Sequence, residues 1–235
     1  MNTLSVILCT YNEEKFIGRA LKKLIKRNIV GEIIIIDDNS QDKTIQIVNK
    51  FKSKKVKLYV RKKIRGFASA LNYGIMKSSF NNILRFDVDM YSDIDYFLHS
   101  FHKYKQKDCI IFSRYIKNGK DLRGNLRKFS SLILNKICNF LLSDKIKDFT
   151  SCIMIFKKKI LKDVKIDNTL YANFIVKFVL LLIIKKKNFI ELPHIQRKYT
   201  EENSKSASNF ITFIKNGLLY ITTIIKCYFI KIRTY

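Results

Sequence analysis

The chain reads as an α/β fold: a mostly parallel sheet with helices on both faces, followed by a C-terminal amphipathic helix. Two observations predict it. Apolar, β-branched runs alternate with stretches of helical periodicity at about 25 residues per unit, the length of a right-handed βαβ crossover. Each early unit also carries a polar cluster, at residues 10–13, 37–40, 65–66 and 87–89. In an open parallel sheet such clusters gather outside the carboxyl ends of the strands, where ligands bind.

The elements follow in order. Residues 4–9 alternate and then run apolar, as a buried strand does. Residues 13–27 place Phe16, Ile17, Ala20, Leu21, Leu24 and Ile25 on one stripe, an amphipathic helix. Residues 32–37 are an almost unbroken isoleucine run, hence a central strand covered on both faces. Ser40 is expected to cap the next helix, whose apolar side is Ile45, Val48 and Phe51. A strand at 56–60, a helix at 67–78 and a strand at 82–87 continue the alternation.

Residues 109–113 form a further strand. Residues 126–142 form a helix expected to turn Phe129, Leu132, Ile133, Ile137, Phe140 and Leu141 inward. A short strand at 152–156 and a helix at 170–186 come next; the apolar run of that helix, 178–184, is too short to span a bilayer. The only proline, Pro193, closes a strand at 189–192. The division expected is one domain over residues 1–206 and an appended helix over 207–235. That helix sets Phe210, Phe213, Ile214, Leu218, Ile221, Ile225, Phe229 and Ile232 against Lys215, Thr222, Lys226 and Arg233, a pattern that lies in a membrane interface.

Composition narrows the partners. With 235 residues and 47% hydrophobic content, the chain can bury a sizeable core, which excludes a disordered protein. Lys and Arg number 46 against 19 acids, a net charge of +27 spread along the chain. Such charge suits nucleic acid, an anionic membrane surface or a phosphorylated substrate. Nucleic-acid binders cluster their cations among exposed aromatics; here acids occupy the strand ends and the charge is dispersed, so nucleic acid is not an expected partner. The five cysteines are scattered and never in Cys-x-x-Cys spacing, which reads as reduced thiols without a zinc site. Met1 runs almost directly into a strand, so no signal peptide is expected, and the protein is placed on the cytoplasmic side, peripheral at the inner face of the membrane.

Chemistry concentrates at Asp87-Val88-Asp89. Residues i and i+2 of a strand point the same way, so two carboxylates at its mouth can converge on one hard cation. His99 and His102 lie three apart in a helix-like segment and read as surface or core groups rather than ligands.

With these residues laid out, the chain resembles the family 2 glycosyltransferases of the A-type nucleotide-diphospho-sugar fold. Within them it is most similar to the branch of dolichol-phosphate mannose synthase and the bacterial polyprenyl-phosphate glycosyltransferases. Residues 5–14, with Thr10-Tyr11-Asn12-Glu13, match the family's first strand and turn. Residues 32–40, with Asp42 and Thr44, match its second block. Arg65-Gly66 with Ala70-Leu71-Asn72 and Gly74 match the third, and Asp87-Val88-Asp89 the metal motif. Ser113-Arg114-Tyr115, then Arg127, Ser130, Asn135 and Asp148-Phe149-Thr150-Ser151, resemble its acceptor-side signatures. Leu192-Pro193 with Arg197 and Ser204-Lys205 resembles the closing motif. The chain departs from the pattern at Cys9 in place of proline, at Tyr91 where the lipid-phosphate branch often has a coordinating Gln, and at Cys152-Ile153 in place of Gly-Phe, with an Arg197 to Ser204 spacing that is a little long and holds no Gly.

The resemblance implies a metal-dependent inverting transferase. Its donor is a nucleotide-diphospho-sugar, gripped by Thr10, Tyr11, Glu13, Asp37 or Asp38, Gly66 and Asp87, with Arg197 and Lys205 on a loop near the diphosphate. Asp87 and Asp89 hold Mg²⁺ or Mn²⁺. Arg114 and Arg127 neutralise phosphates, and Asp148 is the acceptor-side acid. The acceptor implied is a polyprenyl or dolichyl phosphate at an anionic membrane, or else a hydroxyl of a cell-surface polysaccharide or lipopolysaccharide.

Overall fold

A computed structural model describes residues 3–63, 65–197 and 210–234. In chain order the elements are β1 (Leu4–Thr10), α1 (Ile17–Ile25), β2 (Val30–Asp37), α2 (Thr44–Asn49), β3 (Val56–Val60), α3 (Phe67–Lys77), β4 (Asn82–Arg85), α4 (Ile94–Lys103), β5 (Cys109–Ser113), β6 (Lys120–Asp121), α5 (Asn125–Leu141), β7 (Met154–Lys157), α6 (Phe174–Ile184), β8 (Phe189–Pro193), β9 (Ile195–Gln196) and α7 (Phe210–Thr234). A 3₁₀ turn, Val88–Asp93, joins β4 to α4.

Seven strands form one sheet in the order β3-β2-β1-β4-β7-β5-β8, and β6 pairs with β9 alone. β1 runs parallel to β2 and β4, β2 to β3, and β5 to β8. β7 is antiparallel to both neighbours and is the exception within the parallel sheet.

The isoleucine run explains itself in the packing. In β2, Ile34 and Ile36 enter the core on one face, while Ile33 and Ile35 enter the core on the other. Side chains alternate across a strand, so a strand buried on both faces must be apolar at every position. β1 sorts likewise, with Ile7 on the first face and Leu4, Val6 and Leu8 on the second. α1 and α4 cover the second face; α3 and α6 cover the first. α3 comes close enough that only glycine fits at position 74, because a Cβ there would lie 2.6 Å from Ile7 Cγ2.

Two sequence expectations need correction. Ser40 does not cap α2: its hydroxyl donates to Asp37 Oδ2 at 2.6 Å, and Asp42 Oδ1 instead accepts the Thr44 N–H at 2.9 Å. α5 forms as expected but does not turn its apolar stripe inward. Phe140 is 88% exposed and Phe129 64%, with Ile133 and Ile137 also exposed, while Asn135 and Cys138 are buried. α7 packs against the rest of the described chain. Ile224 and Cys227 sit in the first core, Asn173 Nδ2 ahead of α6 donates to Thr223 Oγ1 at 2.9 Å, and Lys231 Nζ donates to the Leu141 carbonyl at 3.0 Å. By length and composition α7 is the one helix among the described residues that could cross a membrane.

Candidate functional site

The carboxyl ends of β1, β2 and β4 open on a cavity of about 850 Å³. Two turns at its edge are laced together. Asn12 and Asn39 adopt left-handed backbone, at φ 54° and 60°, which asparagine tolerates better than most residues. The Asn12 N–H donates to Ser40 Oγ at 2.8 Å, the Gln41 N–H to Asn12 Oδ1 at 2.8 Å, and the Glu13 N–H to Thr44 Oγ1 at 2.7 Å. Asp37 is the knot: fully buried, it accepts Thr10 Oγ1 at 2.7 Å together with the Ser40 N–H and hydroxyl. It does not line the cavity. Asp38 does, beside Thr10, Tyr11 and Glu13.

Asp38 also builds the next loop. Its Oδ1 accepts Arg61 Nε at 2.7 Å and its Oδ2 the Gly66 N–H at 3.0 Å. Gly66 has φ 144°, a conformation open to glycine and strained for side-chain-bearing residues. Arg65 lies over the Tyr11 ring, 4.6 Å from its centroid.

At the end of β4, Arg85, Asp87 and Asp89 all line the cavity. Arg85 is buried beneath the two acids. It pairs with Asp87, donates Nη1 to the Cys152 carbonyl at 2.8 Å, and stacks on Phe67 at 4.2 Å. Asp89 Oδ1 is shut off from solvent without a hydrogen-bond partner. Burial, then the neighbouring Asp87 and Glu13 charges, push the Asp89 carboxyl up to about 7. An orphaned carboxylate oxygen beside a second acid is a poor protein interior but a good seat for a hard divalent cation. Among the described residues no third His, Cys, Asp or Glu joins the pair. Tyr91 is turned away: its hydroxyl accepts Arg19 Nη1 at 3.1 Å and its ring stacks on Phe16.

The opposite wall is cationic. Arg114, Arg123 and Arg127 line it with Ser130, Ser131 and Thr150. Arg114 is clamped by Asp148, Nε to Oδ2 and Nη2 to Oδ1, both at 2.8 Å. Asp148 is wholly buried and lies outside the cavity wall. Burial works against its charge, but the Arg114 cation and N–H donors from Arg114 and Thr150 outweigh it and hold the carboxyl below the usual range. Arg123 pairs with Asp121, whose carboxyl is held at about 2: burial again opposes the charge, and Arg123 and Arg114 prevail.

Of the residues singled out in the sequence, the cavity thus gathers Thr10, Tyr11, Glu13, Asp38, Gly66, Asp87, Asp89, Arg114 and Arg127. Asp37 and Asp148 brace it from behind. Arg197 stands apart, its Nη1 donating to Asp93 Oδ1 and Oδ2 at 2.6 and 2.8 Å. Lys205 lies outside the described residues. His99 and His102 are exposed on α4, away from the cavity. Sequence reasoning missed Arg85 and Arg123. A lone arginine inside an apolar strand was a usable signal for Arg85; nothing distinguished Arg123 among 46 basic residues.

Comparison with known proteins gives the following. The Glycosyl transferase family 2 model matches residues 5–165. The chain is 29% identical over 168 residues to the poly-beta-1,6-N-acetyl-D-glucosamine synthase of Staphylococcus epidermidis and 27% identical to that of Staphylococcus aureus (strain COL). Each match covers 68% of this chain and 41% of the relative, so the chain spans about two-fifths of the length of these relatives. Among solved structures, it is similar to glucosyl-3-phosphoglycerate synthase from Mycobacterium tuberculosis in complex with uridine diphosphate. That likeness has a TM-score of 0.73 at 12% identity, over 97% of this chain and 80% of that one. The same enzyme with Mn²⁺, UDP-glucose and phosphoglyceric acid gives a TM-score of 0.71 at 13% identity, with the same coverage of both chains. At such identity the likeness carries the fold.

Proposed function

The chain belongs to the family 2 glycosyl transferases, and from that premise we propose that it moves a sugar from a nucleotide-diphosphate donor to the phosphate of a polyprenyl or dolichyl lipid, with inversion at the anomeric carbon. An oxygen of the acceptor attacks the anomeric carbon, its bond to that carbon forms as the carbon–diphosphate bond breaks, and the nucleoside diphosphate leaves with the electron pair.

Each wall of the cavity has a part in this. Tyr11, held under Arg65, offers a ring for the base, and Glu13 and Asp38 offer acceptors for base or ribose donors. Asp87 and Asp89 would hold Mg²⁺ or Mn²⁺. Bound there, the cation supplies positive charge against the departing diphosphate. Arg85 sets the orientation of Asp87, and Asp148 sets that of Arg114.

The observation that carries the choice of acceptor is the sequestered Asp148. A hydroxyl acceptor needs a base to take its proton, and the acceptor-side acid, Asp148, is spent on Arg114. A phosphate acceptor is already anionic and needs only positioning, which suits a wall of Arg114, Arg123 and Arg127. A second reading, transfer to a hydroxyl of a growing polysaccharide, is favoured by the poly-beta-1,6-N-acetyl-D-glucosamine synthases among the relatives. The product separates the two. Transfer of radiolabelled sugar to polyprenyl phosphate gives a lipid product cleaved by mild acid. A product resistant to mild acid overturns the first reading in favour of the second.

A further inference from the structure

α5 and α7 are both apolar outside, and they lie together. Leu126, Phe129, Ile133, Ile137 and Phe140 recur every three to four residues along α5, and all are exposed. On α7 the exposed series is Phe210, Ile214, Leu218, Ile225, Phe229 and Ile232, again on helical spacing. The two helices run alongside each other in the same direction. Arg127 and Ile133 of α5 share one cavity with Phe213 and Ile221 of α7, and further along Leu141 accepts a hydrogen bond from Lys231. The two stripes are therefore carried on neighbouring helices, and exposed apolar residues recurring along both are more than the scattered single residues of an ordinary soluble face.

What covers that surface follows from charge. Neither helix contains a single acidic residue, whereas Lys128 and Lys136 on α5 and Lys215, Lys226 and Arg233 on α7 are exposed. A second copy docked on this face would set cation against cation with nothing to pair them. An anionic bilayer accepts both parts of the surface, phenylalanines entering the acyl boundary and lysines meeting the headgroups.

We propose that α5 and α7 together form a bilayer-docking surface for anionic lipid, so that the apolar rim of the cavity, with Ile133 and Phe213, opens into the headgroup layer. The inference rests on the transferase reading for its consequence: an amphiphilic acceptor enters sideways, its anionic head reaching the arginines while its hydrocarbon stays in the membrane. Expectation from sequence reached only α7; the exposed face of α5 is what turns one helix into a surface.

The test uses the full chain with sedimented vesicles of phosphatidylcholine alone or with one-third phosphatidylglycerol. The wild type binds the anionic vesicles at least about tenfold more tightly, and F129S/F140S lowers that binding by about tenfold. Neither phenylalanine lines the cavity, so stabilisation by a nucleotide-sugar with Mn²⁺ is unchanged in the variant. K128E/K136E on the same helix gives an independent loss, and decides the matter if the phenylalanine variant does not fold. The proposal is overturned if the wild type ignores anionic vesicles, or if both α5 variants bind them as it does. It is equally overturned if the variants abolish a dimer seen in sedimentation velocity while vesicle binding persists. Vesicle binding without any nucleotide-sugar stabilisation leaves the docking surface standing and removes the transferase reading alone.

Discussion

Arg114 and Asp148, 34 residues apart in sequence, meet in a bidentate pair with both hydrogen bonds at 2.8 Å and neither group open to solvent to any useful degree. A pair like this fixes a cation in the cavity wall, and it takes the acid out of proton transfer. Asp148→Asn should therefore lower stability and turnover together, with urea unfolding showing a loss of about 3–5 kcal/mol, the range for breaking a buried ion pair. A general base predicts the opposite split: full stability, lost turnover and a shifted pH–rate profile. That split would contradict the positioning role.

The Asp121 carboxyl is held at about 2 by Arg123 and Arg114. Its unfolded value is ordinary, near 4, so the unfolded chain takes up the proton first as pH falls. The ion pair's contribution is complete above the unfolded value and drains away between about pH 4 and pH 2. Asp121→Asn should flatten the acid limb of the stability curve relative to wild type. Urea midpoints from pH 7 down to pH 3 measure this; identical slopes for the two proteins refute it.

Gly74→Ala should destabilise by about 1–3 kcal/mol, the range for overpacking a core, since the added Cβ meets Ile7 Cγ2 at 2.6 Å. Ile7→Val retains Cγ2 and shortens the branch that lies farther off, so it should rescue little. Ile7→Ala should rescue part of the clash while adding a cavity cost of its own. A double-mutant cycle by thermal unfolding checks the coupling; strict additivity contradicts it.

Arg85 is already paired with Asp87, so it would compete with a cation held there. Arg85→Met should bind Mn²⁺ several-fold more tightly without donor, yet turn over more slowly because Asp87 loses the partner that orients it. Titration calorimetry and a turnover assay give the two numbers. Weaker Mn²⁺ binding in the variant would show that Arg85 serves the metal site rather than opposing it.

Much of this was legible in the sequence, and the reasons for the rest are physical. The isoleucines of β2 announce a strand covered on both faces, and each polar strand end names its own place on the rim. The stripe of α5 announces a helix but not what covers it: periodicity reports that Phe129 and Phe140 share a face, and tertiary packing alone decides that this face stays open. Ser40 looked like a cap because caps and turn-lacing serines carry the same hydroxyl, and only the approach of Asp37 tells them apart. The antiparallel run of β7 depends on how the chain returns to the sheet, which no local pattern encodes. Asp148 was found as an acid but not as an ion pair, because its partner lies 34 residues away, just past the end of β5.

The central claim is a donor site completed by a cation at Asp87 and Asp89, and one measurement reaches it most directly. In a thermal-shift panel of UDP- and GDP-sugars with and without Mn²⁺, one nucleotide-sugar should raise the melting temperature of the wild type only when Mn²⁺ is present. Asp89→Ala, folded in the absence of ligand, should lose that shift. Stabilisation by no nucleotide-sugar, or an equal shift in Asp89→Ala, contradicts the account.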